Sequence, residues 1–357
     1  MLPMPNVLFS TTRQWNPGDE FILMGCLNAL RAAGLDFNPV IFNRNPQIRR
    51  AKRFDPVSLL QRRFGEGRRQ AFLDNSFKDS MSLDWVDLVV FAGSPEWHGR
   101  RLEPLYEALA RSGTPTAFLG LGTVKPFRFD REHFSEAETT VLKAARLIAC
   151  RDTLTTASLA PLPVRQMICP ALLAAPHERR RDAVQRIALI YGHPLAARHN
   201  NVAEGTHAFL VALYRALIER LGTRHEFEFV AHYVDELPLF ERDFAGATIR
   251  YSYDARDYVE LYDRYDLVVG HRVHGVGLSA SLGVPGLCVG HDRRGETARG
   301  FGAGMIEVGE PVDGVVARVE QAIAEVGERS AALLERKARL RADYVEALRA
   351  AGIDRLG

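Results

Sequence analysis

Cysteine is scarce and scattered. The four residues Cys26, Cys150, Cys169 and Cys288 form no C-x-x-C pair and share no ligand spacing with histidine, which excludes a disulfide scaffold and a thiolate zinc module. They read as small buried hydrophobes of a reducing compartment. Long apolar runs are missing as well. No stretch approaches the ~20 uninterrupted apolar residues of a spanning helix. The opening MLPMPNVLFS lacks a basic region followed by a long apolar one, so the protein is expected in the cytoplasm. Charge of one sign is also absent overall. A formal net charge of +2 leaves no concentrated basic face of the kind that nucleic-acid binding needs. With 46% hydrophobic and 25% charged residues over 357 positions, the chain has room for about two compact domains rather than a disordered one.

What is present is an alternation of short β-rich runs with segments of helical period, the pattern of parallel sheets covered by helices. Val7–Ser10, Asp87–Phe91, Thr116–Leu119 and Leu147–Cys150 read as strands, with helices near Asp19 and from Leu102 to Ser112, where Gly113 suits a C-cap. The piece from Pro170 to Asp182, proline at both ends of an alanine run and then charged, suits a linker. A second series follows: strands Ile187–Tyr191, Phe227–Val230, Asp266–Val269 and Gly286–Val289, and helices Thr206–Leu221, Arg256–Tyr265, Val276–Leu282 and Pro311 to about Ala351. The expected fold is α/β, two Rossmann-like domains of residues 1–176 and 177–357 facing a cleft, as in GT-B enzymes. The C-terminal helices leave a homo-oligomer open.

Ligands of open α/β sheets bind beyond the carboxyl ends of strands, and five polar segments stand there. They begin at Asn16, Ala92, Gly120, Arg151 and Gly270. Each has a plain alternative. Gly120 and Gly122 supply either a turn or a phosphate loop, Asp152 suits the N-cap of a following helix, and Asp19 and Glu20 favour the positive end of a helix. Arg151, directly after an apolar strand, would be costly to bury without an anionic partner. Arg272 and His274 are one residue apart, so an extended loop places both side chains on one side, and a bound phosphate or carboxylate would raise the pKa of His274. His271 and His274 form an H-x-x-H pair without further zinc ligands, and no metal is expected. Between Arg44 and Arg69, nine Arg or Lys face only Asp55 and Glu66. That run reads as a solvated, mobile loop, or as a lid or dock for an anionic or lipid-linked ligand.

In order, Asn16-Pro17-Gly18-Asp19-Glu20, Asp87 to Gly93, Gly120 to Gly122, Ile148 to Asp152, Cys169-Pro170-Ala171, Asp266 to Gly275 and Gly283 to Pro285 resemble the polysaccharide pyruvyl transferase family. The resemblance implies a GT-B fold and transfer of pyruvate from phosphoenolpyruvate to a sugar diol, as a ketal, without a cofactor. It implies that Arg151 and Arg272 bind the donor across the cleft and that His274 is the general acid. It marks Asn16, Gly18, Asp19, Glu20, Gly93, Ser94, Gly120, Gly122, His271 and Arg293 as substrate contacts. The partners are a small-molecule donor and a carbohydrate acceptor, with peripheral contact to a membrane-borne, lipid-linked acceptor left open. The sequence departs from the pattern in having one glycine, Gly93, where the family often has two or three. His291-Asp292-Arg293-Arg294 stands where it often has Asp followed by Lys. Two other readings stay open: a glycosyltransferase using a nucleotide sugar, and a glycan- or anion-binding relative without turnover.

Overall fold

The structure, a computed structural model, describes residues 4–13, 16–44, 82–93, 96–99, 101–123, 125–131, 134–192, 205–290 and 295–356. Two six-stranded sheets form its frame. The first contains β1 (Asn6–Thr11), β2 (Asn38–Asn43), β3 (Leu88–Ala92), β4 (Thr116–Leu121), β5 (Leu147–Cys150) and β6 (Val164–Gln166), in the order β2-β1-β3-β4-β5-β6. The second contains β7 (Arg186–Ile190), β8 (Glu226–Val230), β9 (Ile249–Arg250), β10 (Leu267–Gly270), β11 (Gly286–Val289) and β12 (Gly304–Ile306), in the order β12-β11-β10-β7-β8-β9. Every strand pairing among the described residues is parallel. The inner strands β3, β4, β10 and β11 are buried along their whole length, as continuous apolar strands must be when helices cover both faces.

The helices are α1 (Pro17–Ala32), α2 (Glu103–Ser112), α3 (Glu136–Ala144), α4 (Thr153–Ser158), α5 (Thr206–Leu221), α6 (Leu237–Asp243), α7 (Asp257–Asp263), α8 (Val273–Ser281), α9 (Gly295–Gly300), α10 (Val312–Ala324) and α11 (Val326–Ala350). Gly113 caps α2 at φ 66°, the expected left-handed C-cap. The strands β2, β6, β9 and β12 escaped the sequence reading because they are short or partly exposed edge strands. β2 even contains Pro39, which an edge strand tolerates.

The two halves meet along their strand ends. Phe21 of α1 stacks edge-on against His232 and Tyr258, with centroids 5.8 and 5.7 Å away. This is the architecture of two Rossmann-like domains facing a cleft. The segment from Pro170 to Asp182 joins the sheets as a linker, exposed over residues 176–180 but packed at its start. Pro170 to Ala175 are buried, the Ala175 amide donates to Ser281 Oγ (2.9 Å), and the Lys337 ammonium donates to the carbonyls of Ala175 (3.0 Å) and Ser281 (2.8 Å). It lies so close to α1 that a Cβ on Gly25 would stand 1.8 Å from the Pro170 carbonyl oxygen. The final helix, α11, packs back across the first half: the Tyr344 hydroxyl donates to the Ile168 carbonyl (3.1 Å), and Leu340, Tyr344 and Leu348 share one apolar core with Cys26 and Leu30.

Candidate functional site

Strand order reverses between β1 and β3 in the first sheet and between β7 and β10 in the second. These are the crevices where such sheets receive ligands. Arg151 leaves β5, two strands along the same sheet from β3. The ladder between β4 and β5 is irregular between Leu119 and Leu121, where Gly120 takes φ 74°, a conformation that glycine adopts without Cβ strain. Beyond it, a Cβ on Gly122 would stand 2.6 Å from Arg151 Nε. Gly122 therefore clears a shelf for a guanidinium group. Trp97 fixes that shelf by donating Nε1–H to the Gly122 carbonyl at 3.1 Å.

Arg151 is buried, and its Nη1 lies 3.0 Å from Nε2 of His274 in the other half. Arginine offers only donors, so in this contact Nε2 accepts and carries no proton. His274 does not sit in an extended loop. α8 starts at Val273 rather than at Val276, because Gly275 and Gly277 do not break the helix but admit neighbours: a Cβ on Gly275 would lie 2.8 Å from both His232 Cε1 and the Tyr262 oxygen. Helical residues advance about 100° each, so the expected same-side pairing of Arg272 and His274 is lost. Arg272, the extended residue before the helix, turns toward Glu236, and His274 turns toward Arg151 and Gly18.

The first turn of α1 closes on the same imidazole. Asn16 is the N-cap, accepting from the Gly18 amide at 3.0 Å, and Pro17 fills the first helical position. A Cβ on Gly18 would be 3.0 Å from His274 Nδ1, so glycine permits the approach. Glu20 accepts from Arg13 Nε at 2.9 Å. Asp19 is buried, and burial lifts its pKa to about 6 despite the opposing pull of Arg44; Glu96 lifts it further, and Arg151 and Thr12 lower it. Arg44, first residue of the basic run, is not solvated. It is buried, donating to the carbonyls of Ala92 (3.1 Å), Gly93 (3.3 Å) and Glu96 (2.9 Å) at the end of β3, and burial lowers its pKa. Gly93 itself has φ 52°, and a Cβ there would meet Ile22 at 2.5 Å. Ser94, Arg293 and the rest of the basic run to Arg69 lie outside the described residues.

On the second edge, the Arg272 guanidinium forms an ion pair with Glu236 and covers the Tyr233 ring, its Cζ 4.5 Å from the centroid. Burial pulls the Arg272 pKa down, but Glu236 and Tyr233 outweigh it and hold the group above its ordinary value. His232 bonds Tyr262 through Nε2 at 2.8 Å, and burial, aided by Arg272, keeps it well below the usual histidine range and so neutral. His271 is not a solvated neighbour. It is buried in the second crevice against Gly192, whose Cβ would fall 1.9 Å from His271 Cε1. Among the described residues, no group of three or more His, Cys, Asp or Glu could hold a metal ion.

Asp152 does cap α4, accepting from the Thr155 amide at 2.7 Å. Sequence reasoning missed Arg44, His232, Tyr233, Glu236 and Glu296. The last accepts from the Thr153 amide (3.0 Å), the Thr153 hydroxyl (2.7 Å) and Gln166 (3.1 Å), tying α9 to the first half. A signal existed for the cluster at β8, since His232, Asp235 and Glu236 follow directly on a strand that ends in the buried Phe229 and Val230.

A family model described as polysaccharide pyruvyl transferase matches residues 16–293. No curated protein matches. The structure resembles the UDP-GlcNAc 2-epimerase of Neisseria meningitidis (TM-score 0.52, 11% identity, covering 94% of this chain and 100% of that one). It also resembles HepE of Anabaena (0.53, 11%, 96% and 99%) and the glycosyltransferase SnogD of Streptomyces nogalater (0.51, 16%, 99% and 100%). At these identities the likeness establishes the GT-B-like fold alone.

Proposed function

The chain belongs to the polysaccharide pyruvyl transferase family, and on that footing we propose that it transfers pyruvate from phosphoenolpyruvate to two hydroxyls of a sugar, forming a cyclic ketal. The observation that carries this reading is the contact of Arg151 with His274, which joins the strand ends of both halves at one point. Phosphoenolpyruvate carries a phosphate and a carboxylate, and guanidinium groups bind such anions in a fixed orientation. Arg151 and Arg272 take these roles, with residues 1–176 forming the acceptor side and residues 177–357 carrying the Arg272–His274 segment.

Arg151 Nη1 occupies the lone pair of His274 Nε2. A phosphate that draws Arg151 to itself frees that nitrogen, and the same negative charge favours its protonation. Protonated His274 then delivers its proton to the methylene carbon of the donor, leaving C2 electrophilic. One acceptor hydroxyl adds to C2 and passes its proton back to His274; the second closes the ring as the C2–O bond to phosphate breaks, and its proton leaves with the phosphate. Two protons leave the diol, one ends on the new methyl group and one on phosphate. The scheme requires neither a redox cofactor nor a metal.

The test is to incubate the protein with phosphoenolpyruvate and a panel of oligosaccharide and lipid-linked sugar acceptors, reading phosphate release and the ketal methyl signal by NMR. Both signals are expected with at least one acceptor. Thermal stabilisation by nucleotide sugars and not by phosphoenolpyruvate, with no phosphate release, would replace this reading by that of a nucleotide-sugar glycosyltransferase.

A further inference from the structure

Glu236 is a fully buried carboxylate with no role in the scheme above. Burying such a group is costly unless donors surround it, and here its two oxygens are divided between two kinds of donor. Oε2 accepts the consecutive amides of His232 (2.7 Å) and Tyr233 (3.1 Å), while Oε1 accepts Arg272 Nη2. One side of the carboxylate is thus fastened to the turn after β8. That turn is itself held by the bond from His232 to Tyr262 and by the packing of His232 against Phe21. The other side holds one edge of the Arg272 guanidinium, and Tyr233 supports one of its faces.

We infer that Glu236, together with Tyr233, is the positioning element for Arg272, so that Arg272 meets an anionic ligand as a set of aimed N–H donors within a charge-neutral pair. This inference rests on the reading of Arg272 as a donor-binding residue. Because Glu236 cancels the charge of Arg272, long-range attraction of the anion falls to Arg151. Glutamine cannot replace Glu236: its amide has one acceptor oxygen, so its NH₂ would face either the backbone amides or Arg272.

Glu236→Gln is expected to raise the KM for phosphoenolpyruvate roughly tenfold, in line with a lost charge-assisted bond, and to change kcat less than about threefold if binding is uniform through the reaction. In an Arg272→Gln background the same substitution is expected to cost nothing further beyond about twofold. Equal costs in both backgrounds would make Glu236 merely structural and overturn the proposal. Should Glu236→Gln fail to fold, Tyr233→Leu leaves the buried carboxylate alone and is expected to raise KM roughly threefold, the scale of a partly exposed cation–π contact; an unchanged KM would count against the proposal.

A readout without substrate separates this inference from the reaction assigned above. The Nε–H NMR signal of Arg272 in the full-length protein is expected to be sharp and slow to exchange in the wild type, and broadened in Glu236→Gln. An unchanged signal overturns the positioning role even if pyruvyl transfer is confirmed. A broadened signal sustains that role even if phosphoenolpyruvate is not turned over.

Discussion

The two strand edges that meet at the cleft hold their arginines in opposite ways. On the second edge, Arg272 has a buried carboxylate as its partner, an aromatic ring beneath it and a helix starting directly after it. On the first edge, Arg151 rests on a glycine and points its Nη1 at a neutral imidazole, while Arg44 spends its donors on carbonyl oxygens. The difference lies in the partner. The second edge holds its cation with a carboxylate in direct contact; the first holds Arg151 against an imidazole nitrogen, with Asp19 acting on it through its charge.

The sharpest way to break this contrast is at the imidazole between the two edges. His274→Ala is expected to lower kcat by ~10²- to 10⁴-fold, the usual worth of a placed proton donor, while phosphoenolpyruvate affinity by calorimetry stays within about threefold of wild type. An equal loss in affinity would mean that His274 binds rather than moves a proton. Next in size, Arg151→Gln is expected to weaken donor binding about 10- to 100-fold, as for a lost charge-assisted bond, and to flatten its dependence on salt. The paired change of Arg272→Gln with Glu236→Gln, which removes one charge of each sign, should weaken binding while leaving the salt dependence nearly intact. Matching salt profiles for the two variants would erase the distinction drawn between the edges.

A third test concerns stability. Asp19 ionises near pH 6 in the fold against 3.8 for the free group, so the native protein holds this proton more tightly than the unfolded chain does. The resulting stability is complete below pH 3.8 and is lost as the pH rises through 6. At ~1.4 kcal/mol per unit, Asp19→Asn should therefore gain about 3 kcal/mol over wild type at pH 8 in urea unfolding. The gap should close toward pH 4. A gap independent of pH would show that the carboxylate is no burden to the fold. The smallest expected effect belongs to Gly122→Ala. The added Cβ pushes the Arg151 guanidinium aside, and kcat/KM should fall about three- to tenfold through misplacement, with melting temperature nearly unchanged; activity equal to wild type would show that the guanidinium relocates at no cost.

The frame of this protein was legible because a strand buried on both faces must be apolar throughout, and Leu88–Ala92, Leu267–Gly270 and Gly286–Val289 are. The placement of Arg151, His271 and Arg272 just beyond strands was legible for the same reason. Their partners were not. Nothing in the spacing of Arg272 and His274 reveals that a helix starts between them, because Gly275 and Gly277 weaken the helical signal while serving close contacts with His232, Tyr262 and Phe301. Nor does a run of arginines reveal which member turns inward. Arg44 is distinguished only by following β2, a short edge strand whose Pro39 speaks against a strand in the pattern. Glu236 meets Arg272 from 36 residues away, a pairing that only the order of β7, β8 and β10 in the sheet brings about.

The return of α11 to the first half has a consequence for synthesis. The face of α1 that Leu340, Tyr344 and Leu348 cover is made early, and the tyrosine that bonds Ile168 follows it by 176 residues. A nascent chain that has completed its first sheet thus keeps an apolar face open until α11 has left the ribosome. Exposed surface of that kind is what chaperones bind and what aggregates in their absence. The N-terminal half is therefore a poor candidate for expression on its own, and a stop codon shortly after Ala324 would injure the half of the molecule farthest from it in sequence.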